Sequence, residues 1–380
     1  MRFEEAFSGW QAGRLTQQEA ARLLGVCERS FRRYVDRYEA GGLEGLMDKR
    51  ISQLSQRRAP VDEVMGLVDL YQSRYAGWNV RHFHRWYARE HAGARSYSWV
   101  KNTLQAARAV ARAKGRGKHR KRRERAPLPG MIVHQDGSTH EWVPGVRWDL
   151  IVTMDDATGE HLSMFFVPEE GSASSFHGLG QTIAAKGLFA MLYTDRGSHY
   201  FLTPEAGGKV DKGQLTQVGR ALAQLGIHHQ GAYSPEARGR SERAFGTHQQ
   251  RLPRELALAG ISHMAQANGY LEQVYRPAYN AEFAVPAAEP GSAFVPYIGP
   301  NLADILCEQH ERTVGKDNCV SFEALRLQIP ADRYRHHYVK AKVRVHRYVD
   351  ASLAIFHGPR KLAHYDPSGA LRAEPSNQAA

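Results

Sequence analysis

The chain has 380 residues, too many for one ordinary hydrophobic core, and 42% of them are hydrophobic, which is enough material for about two to four domains. The net charge is +12, with 51 Lys and Arg against 39 Asp and Glu, so a polyanion such as nucleic acid is the first candidate partner and an anionic membrane surface the second. No apolar run is long enough to span a bilayer, and no signal peptide is evident. Three scattered cysteines argue against a disulfide framework. Together these observations predict a cytoplasmic protein with no membrane partner.

The first predicted unit, residues 1–50, is an all-α helix-turn-helix domain. Thr16 and Glu19 have the spacing of a capping box, Gly25 breaks the first helix, and a second helix begins near Glu28. A plain helical hairpin with a solvated basic face is the alternative. The second helix would present to a DNA major groove the side chains of Arg29, Ser30, Arg32, Arg33 and Arg37.

Residues 61–111 contain three more helical patterns, and they predict a second helix-turn-helix unit with Arg81 and Lys101 facing outward. A helical spacer with an aromatic core is an equally good interpretation. Residues 112–130 are predicted to be a linker, because nine of the first fourteen are Lys or Arg and such a block repels itself. A merely solubilising linker is possible in principle, but so much positive charge favours contacts to DNA phosphates from Lys118, Arg120, Lys121, Arg122 and Arg123.

After Gly130 the patterns change to those of a domain with both strands and helices, predicted over residues 131–260. Three strands joined by tight turns come first, and the pattern then alternates helix, strand, helix, strand and helix. The long last helix begins near Ser234 or Arg238 and ends at Leu258. This order resembles an RNase H-like α/β fold, in which the fourth strand lies beside the first. The predicted strands are Met131–Gln135, Arg147–Thr153, His161–Pro168, Leu188–Thr194 and Ile227–Gln230.

The last third of the chain is predicted to hold a helical extension and linker (261–317), a small β-barrel (318–372) and a disordered tail (373–380). The barrel rests mainly on the alternation in Tyr338–His346, where valines would face inward and basic residues outward. The basic face is either a DNA contact or simply solvated. The whole chain is therefore predicted to be multidomain, with N-terminal helix-turn-helix units, an α/β core and a C-terminal barrel.

Three acidic residues occupy places from which their side chains could converge. Asp136 follows the first strand, Asp195 follows the fourth, and Glu242 lies early in the long helix. Hard oxygen ligands of this kind suit Mg²⁺ or Mn²⁺, and two such ions about 4 Å apart can activate a hydroxyl and stabilise a leaving oxygen in phosphodiester transfer. An aspartate after a strand is also a common turn residue. Rival ligands are Asp155, Asp156 and Glu236.

Three segments carry a resemblance to a known family. Residues 134–142 (HQDGSTHEW), 193–200 (YTDRGSHY) and 234–243 (SPEARGRSER) resemble, in order, the three catalytic motifs of DDE-type insertion-sequence transposases, particularly the ISNCY-type group. Residues 42–50 (GLEGLMDKR) are similar to the segment that follows the first helix-turn-helix of that family. The resemblance implies an enzyme that binds the terminal inverted repeats of double-stranded DNA, cleaves its 3′ ends and joins them to target DNA, with the three acidic residues as metal ligands.

The chain also departs from the family pattern. The interval from Asp195 to Glu242 holds 46 residues, which is longer than in retroviral-type integrases, and Arg196 stands where related sequences often carry Asn. Neither departure removes a ligand. Around the third motif, either phosphate contacts or a plain charged helix face would account for Arg238, Arg240 and Arg243.

Two other functions compete with an active transposase. A catalytically silent derivative would act as a DNA-binding repressor, but it would be expected to have lost a carboxylate, and all three are present. A nuclease of the same fold would hydrolyse DNA without joining strands, whereas two DNA-binding units favour a protein that must find specific ends. Pairing two DNA ends further implies a homo-oligomer that is at least a dimer on DNA. A bacterial protein that acts on DNA in this way is also expected to be associated with the nucleoid.

Overall fold

The computed structural model describes residues 2–48, 58–112, 124–202, 213–233, 239–332 and 334–372. The chain forms two compact units, Met1–Arg74 and Tyr75–Ala380. Most of the predicted basic linker (113–123) and the predicted tail (373–380) lie outside the described residues. Within the described ranges, no helix combines the length and the apolar character that a membrane span requires.

The first unit is helical, as predicted. Thr16 and Glu19 form the capping box, since the backbone N–H of Thr16 donates to the Glu19 carboxylate at 2.7 Å and the Thr16 hydroxyl accepts from the backbone N–H of Glu19 at 3.3 Å. Gly25 has a φ of 67°, a left-handed conformation that ends the helix before it. The helices are α1 (Arg2–Gln11), α2 (Gln17–Leu23), α3 (Glu28–Leu46) and α4 (Val61–Arg74).

The sequence pattern did not predict α1, although α1 completes the core of the helix-turn-helix. Its Phe3, Phe7 and Trp10 pack against a buried cluster that contains Phe31 of α3 and the two alanines of α2. Small alanines let α2 and α3 approach each other closely, as the sequence indicates. The predicted helix end at Gly41–Gly42 is instead a kink inside α3, where both glycines leave helical backbone angles.

The second unit is built around a five-stranded sheet in the order β3-β2-β1-β4-β5. Strand β2 is antiparallel to β1 and β3, whereas β1, β4 and β5 are parallel. This is the predicted α/β core with the fourth strand beside the first. The strands are β1 (Ile132–Val143), β2 (Val146–Asp155), β3 (His161–Val167), β4 (Met191–Thr194) and β5 (His228–Gly231).

Helices cover both faces of this sheet. One face packs on α7 and α8 through a core that includes Leu179 and Leu222, and the other packs on α9 and the helices after it through a core that includes Leu252. A buried hydrogen bond between His82 and Glu255 (2.6 Å) also joins α5 to α9. The helices are α5 (Val80–Glu90), α6 (Tyr97–Ala106), α7 (Ser172–Lys186), α8 (Gln217–Gln224), α9 (Gly239–Leu258), α10 (Met264–Tyr270) and α11 (Arg276–Phe283), with a π-helical turn at Leu271–Tyr275 and a 3-10 turn at Leu302–Asp304.

Strand β1 is longer than predicted. The sequence predicted a strand that ends at Asp136, but β1 continues to Val143 and pairs with β2 along this length. The polar run from Asp136 to Glu141 hides the strand from a hydropathy pattern, while hydrogen bonds to β2 satisfy its backbone. Asp136 therefore lies within β1 and opposite Val152 of β2.

The predicted C-terminal β-barrel is wrong, because among the described residues the strands form an open five-stranded sheet, β12-β11-β10-β9-β6, and a separate hairpin, β7-β8. Both enclose one core that contains Val320 and Val345, and β9 turns Val343 inward as predicted. The alternation of apolar and basic residues predicts which face of a strand is buried. It cannot predict whether the two edge strands of the sheet pair with each other and close a barrel. The strands are β6 (Glu308–Thr313), β7 (Cys319–Phe322), β8 (Leu325–Gln328), β9 (Lys342–Arg347), β10 (Leu353–His357), β11 (Arg360–Tyr365) and β12 (Leu371–Arg372).

Candidate active site

The structure brings Asp136 and Asp195 to neighbouring strands. His134 of β1 pairs with Tyr193 of β4 in parallel register, and each aspartate follows its paired residue by two positions. Alternate residues of a strand share one face, so Asp136 lies on the same face as His134. The rings of His134 and Tyr193 lie 5.2 Å apart on that face. Asp136 and Asp195 therefore each lie two residues beyond the last paired residues of two adjacent strands, and the adjacency of these strands agrees with the predicted topology.

Helix α9 crosses β1 beside Asp136. Ser241, Ala244 and Phe245 of α9 line a small cavity together with His134 and Asp136. These three residues form the buried side of the first turns of α9, and Asp136 itself is only 7% exposed. The start of α9 is thus fixed directly over the strand that carries Asp136.

Glu242 is exposed and lies next to the buried Ser241. Across the part of the chain that the structure describes, no group of three or more His, Cys, Asp or Glu side chains is arranged to hold a metal ion. The structure therefore brings together Asp136, Asp195 and the helix that carries Glu242, but it does not gather the three carboxylates into one ligand cluster. Glu236, a rival for the third position, lies outside the described residues.

Negative charge is concentrated where β4 ends beside the middle of β1. Burial raises the pKa of Tyr200 well above its ordinary value, and the negative charges of Glu170, Asp136 and Asp195 raise it further. The hydroxyl of Tyr200 donates to the side-chain oxygen of Gln135 at 3.2 Å. Carboxylate oxygens are the donors that Mg²⁺ and Mn²⁺ prefer, so the chemical type of these side chains fits such an ion.

Glu170 is a nearby carboxylate that the sequence analysis missed. It directly precedes α7, and its carboxylate lies so close to Gly137 that a methyl group at Gly137 would overlap it. Its Oε1 lies 3.6 Å from Nε2 of His199. The neighbour of Gly137 thus comes from the junction of β3 and α7, which no local pattern singles out.

The rival ligand Asp155 has a structural role. It is buried, and one carboxylate oxygen accepts a hydrogen bond from the backbone N–H of Gly130 at 2.8 Å. The other oxygen accepts from the backbone N–H and the hydroxyl of Thr158, both at 2.8 Å. These contacts close the turn between β2 and β3 and tie it to the chain before β1, which is the ordinary function of an aspartate at such a place.

The rival ligand Asp156 is fully buried and holds two basic side chains. Its Oδ1 lies 2.7 Å from Nε2 of His134 and is also paired with the Arg240 guanidinium. Its Oδ2 accepts from the backbone N–H of Ala126 at 2.8 Å. Burial alone would raise the pKa of Asp156, but the hydrogen bonds from His134 and Ala126 and the charge of Arg240 outweigh it and hold this pKa well below its usual range.

The predicted DNA-contact residues differ in their surroundings. On α3 the four arginines are exposed and Ser30 is half-buried, opposite the buried Phe31 and Val35. On α5 and α6, Arg81 is exposed with its guanidinium 5.4 Å from the ring centre of Tyr97, and Lys101 is half-buried. In α9, Arg243 is exposed while Arg240 contacts Asp156. Arg238 and the predicted linker contacts at 118 and 120–123 lie outside the described residues.

Comparison with known proteins decides the family. Residues 9–62 match the family model of a winged helix-turn-helix. Over 350 residues, 90% of this chain and 75% of the relative, the chain is 31% identical to the putative transposase y4bF of Sinorhizobium fredii. Over 265 residues it is 28% identical to the transposase for insertion sequence IS1202 of Streptococcus pneumoniae, which covers 67% of this chain and 56% of that protein. The chain belongs to the insertion-sequence transposases.

Solved structures with likeness to this transposase include the HTLV-2 integrase catalytic core domain in complex with magnesium (21% identity, 40% of this chain and 90% of that chain, TM-score 0.30). Another is the simian T-cell lymphotropic virus intasome in complex with the PP2A regulatory subunit B56 gamma (17% identity, 82% of this chain and 100% of that chain, TM-score 0.33). Likenesses with TM-scores this low carry no argument about the chemistry of the transposase. Its DNA-binding part is the helix-turn-helix of the first unit.

Proposed function

We propose that this transposase binds the terminal inverted repeats of its insertion sequence and catalyses metal-dependent 3′-end cleavage and strand transfer. Asp136, Asp195 and Glu242 are its proposed catalytic residues and the ligands of two Mg²⁺ or Mn²⁺ ions. The observation that supports this most strongly is the parallel register of β1 and β4, two neighbouring strands in the interior of the sheet, since each aspartate follows the last paired residues, His134 and Tyr193, by two positions.

The proposed role of the three carboxylates is to supply negative charge at fixed positions. When bound, the metal ions would activate the attacking hydroxyl or water and neutralise the charge that develops on the leaving oxygen. Asp136 is held within β1 by its pairing with Val152 of β2, two residues beyond the last pair of β1 with β4, and its own Oδ1 accepts from the backbone N–H of Gly137 at 3.0 Å. Asp195 accepts from the backbone N–H of Gly197 at 2.8 Å. These bonds orient the two carboxylates before any ligand arrives.

A change of the Glu242 side-chain rotamer is proposed to bring its carboxylate to the pair, because the helix that carries it already packs against β1 at Asp136. Closing of the site around DNA is the proposed cause, and catalytic contacts are often loose before substrate binds.

DNA contacts are proposed for two regions. The stripe of Arg29, Arg33 and Arg37 runs along the exposed side of α3 at four-residue spacing, which suits a helix that lies in a major groove. Near the carboxylates, the exposed Arg243 would hold a phosphate. Because the two ends of the element must be paired before they are joined to target DNA, the active assembly is proposed to be at least a dimer on DNA.

The deciding experiment uses labelled DNA that carries the ends of the element itself, with Mg²⁺ or Mn²⁺, and compares wild type with Glu242→Gln. The matched control is Glu289→Gln, which removes one exposed carboxylate far along the chain, in the loop after α11. We expect metal-dependent nicking at the 3′ ends and joining to target DNA in wild type and control. Glu242→Gln should lose both reactions and keep its affinity for the ends.

Other outcomes would replace the proposal. Binding of the ends without cleavage in any of the three proteins would identify a repressor. Cleavage without joining would identify a nuclease. Cleavage that survives Glu242→Gln would remove Glu242 from the site and make Glu236 the next candidate.

A further inference from the structure

Asp156 connects three parts of the second unit that are far apart in sequence. It follows β2, and its carboxylate contacts His134 of β1, Arg240 in the first turn of α9 and the backbone N–H of Ala126. Arg125 extends the connection, since its guanidinium donates to the carbonyl oxygens of Asp156 and Ala157 at 3.0 and 3.2 Å. We call His134, Asp156 and Arg240 the buried ionic cluster.

The cluster adjoins each candidate ligand at the same sequence offset. His134 precedes Asp136 by two residues, Arg240 precedes Glu242 by two, and the His134 ring is in contact with Tyr193, which precedes Asp195 by two. On β1 an offset of two keeps both residues on one face of the sheet. On α9 it places Glu242 about 200° around the helix axis from Arg240. The cluster thus does not touch Glu242, but it sets the rotation and height of the turn that carries it.

Such a cluster is rigid for an energetic reason. Asp156 is fully buried, and the side chains of His134 and Arg240 are only 5% and 17% exposed. A buried charge is tolerated only while its partners stay in place, so a movement of Arg240 away from Asp156 leaves an uncompensated charge in the interior. A negative carboxylate at the start of α9 also interacts favourably with the positive end of the helix dipole.

We propose that the buried ionic cluster is a positioning device that keeps the first turn of α9 in register with β1 and β4, so that Asp136, Asp195 and Glu242 can bind the same divalent cation. The inference rests on the proposed function for the role of those three carboxylates. It assigns Asp156 and Arg240 to positioning, which differs from the metal-ligand and DNA-contact roles that the sequence pattern suggests for them.

The test compares binding of Mn²⁺ to the full chain, measured by calorimetry, in wild type, Asp156→Asn, Arg240→Gln and Arg240→Lys. Arg254→Gln is the matched control, because it removes the same charge from the other end of α9, away from the cluster and the carboxylates. We expect Asp156→Asn and Arg240→Gln to weaken Mn²⁺ binding by about tenfold or more, as for other residues that orient metal ligands. Arg240→Lys should recover part of the loss, and Arg254→Gln should stay within about twofold of wild type.

Hydrogen exchange of the backbone amides at 239–245 provides a second measurement that needs no metal. Exchange should accelerate in Asp156→Asn and Arg240→Gln and stay unchanged in Arg254→Gln. If Asp156→Asn fails to fold, the two Arg240 variants decide the matter, since the Arg240 side chain reaches the surface.

Two results would overturn the proposal. The first is unchanged Mn²⁺ affinity in Arg240→Gln together with weaker, less salt-dependent binding of DNA ends, which would make Arg240 a phosphate contact. The second is unchanged exchange at 239–245 in both variants. If wild type itself binds no Mn²⁺, the proposed function loses its metal site, and the exchange measurement alone then judges whether the cluster fixes α9.

Discussion

The two faces of the central sheet use different chemistry to hold their helices. On the α9 face lie ionisable groups: the buried ionic cluster, Asp136, and the buried His161 and His248, whose Nε2 atoms are 2.9 Å apart. On the α7 face Gln135 sits in a network of neutral groups. The members of that network are Gln135, Thr153, Ser163, Ser175 and Tyr200.

The difference has a physical consequence. A neutral network satisfies buried polar atoms whatever the pH, and it holds α7 against the sheet without adding charge near the carboxylates. A charged cluster fixes its members more firmly, but it depends on the protonation of each partner. The face that carries the candidate site is thus the one whose geometry is set by charge, which can be tested by matched substitutions on the two faces.

The largest effect is expected for neighbouring residues that face opposite sides of β1. Asp136→Asn should reduce 3′-end cleavage by about a thousandfold or more and change the free energy of unfolding by less than about 1 kcal/mol, since the amide keeps the shape but loses the charge. Gln135→Leu should leave cleavage per folded molecule largely unchanged and lower the free energy of unfolding by about 2 kcal/mol. The reason is that the hydroxyl and carbonyl groups bonded to Gln135 stay buried without a partner. Cleavage assays and urea unfolding measure both. If Asp136→Asn and Gln135→Leu lost the same fraction of cleavage per folded molecule, the proposed difference between the two faces of β1 would be wrong.

Stability should also separate the two faces. Asp156→Ala leaves His134 and Arg240 buried without their carboxylate, and it should lower the free energy of unfolding by about 3–5 kcal/mol. Thr153→Val removes a neutral hydroxyl on the opposite face at nearly constant volume and should cost about 1–2 kcal/mol. Urea denaturation at neutral pH is the measurement. A larger cost for Thr153→Val would show that the neutral network is the firmer of the two.

Acid should destabilise the α9 face through its buried histidines. Burial lowers the pKa of His161 to about 4, with the charge of Arg276 adding to this and the hydrogen bond with the Gly159 carbonyl opposing it. The unfolded chain therefore takes up the proton near pH 6.5 and the folded chain only near pH 4, so stability falls as the pH drops through this window, by about 3 kcal/mol for this residue.

The control for that prediction is a histidine at the surface. His161→Gln should flatten the pH dependence of the free energy of unfolding between pH 6.5 and 4, whereas His263→Gln, at the exposed start of α10, should leave it unchanged. Urea unfolding in a series of buffers gives the slope. An unaltered slope in His161→Gln would mean that other groups govern the acid response.

The smallest effect is expected on the neutral face. The Tyr200 hydroxyl lies 3.2 Å from both the Ser175 hydroxyl and the Gln135 side-chain oxygen. Tyr200→Phe should cost about 1 kcal/mol, the net value of a hydrogen bond between neutral groups. Thermal unfolding measures it, and the pH dependence of stability below pH 7 should not change. A cost that grows on acidification would show that the network is coupled to the carboxylates.

The sequence by itself determined the features that depend on nearby residues or on family motifs. Capping at Thr16, the turn at Gly25 and the order of strands and helices in the core follow from local patterns. The placement of Asp136 and Asp195 on adjacent strands follows from that order, because the fourth strand of such a fold pairs with the first. The roles of these aspartates remain predictions.

Tertiary structure decided what depends on partners distant in the chain. Asp136 and Asp156 are both aspartates in or next to predicted strands. Asp156 has a structural role because His134, Ala126 and Arg240, which are 22, 30 and 84 residues away in the chain, contact its carboxylate. Glu170 reaches Gly137 only because α7 begins beside β1. The open C-terminal sheet was mispredicted as a barrel for the same reason, since whether β6 and β12 pair depends on the twist and length of every strand between them. Local patterns specify which side of an element is buried, whereas long-range packing alone specifies what it meets there.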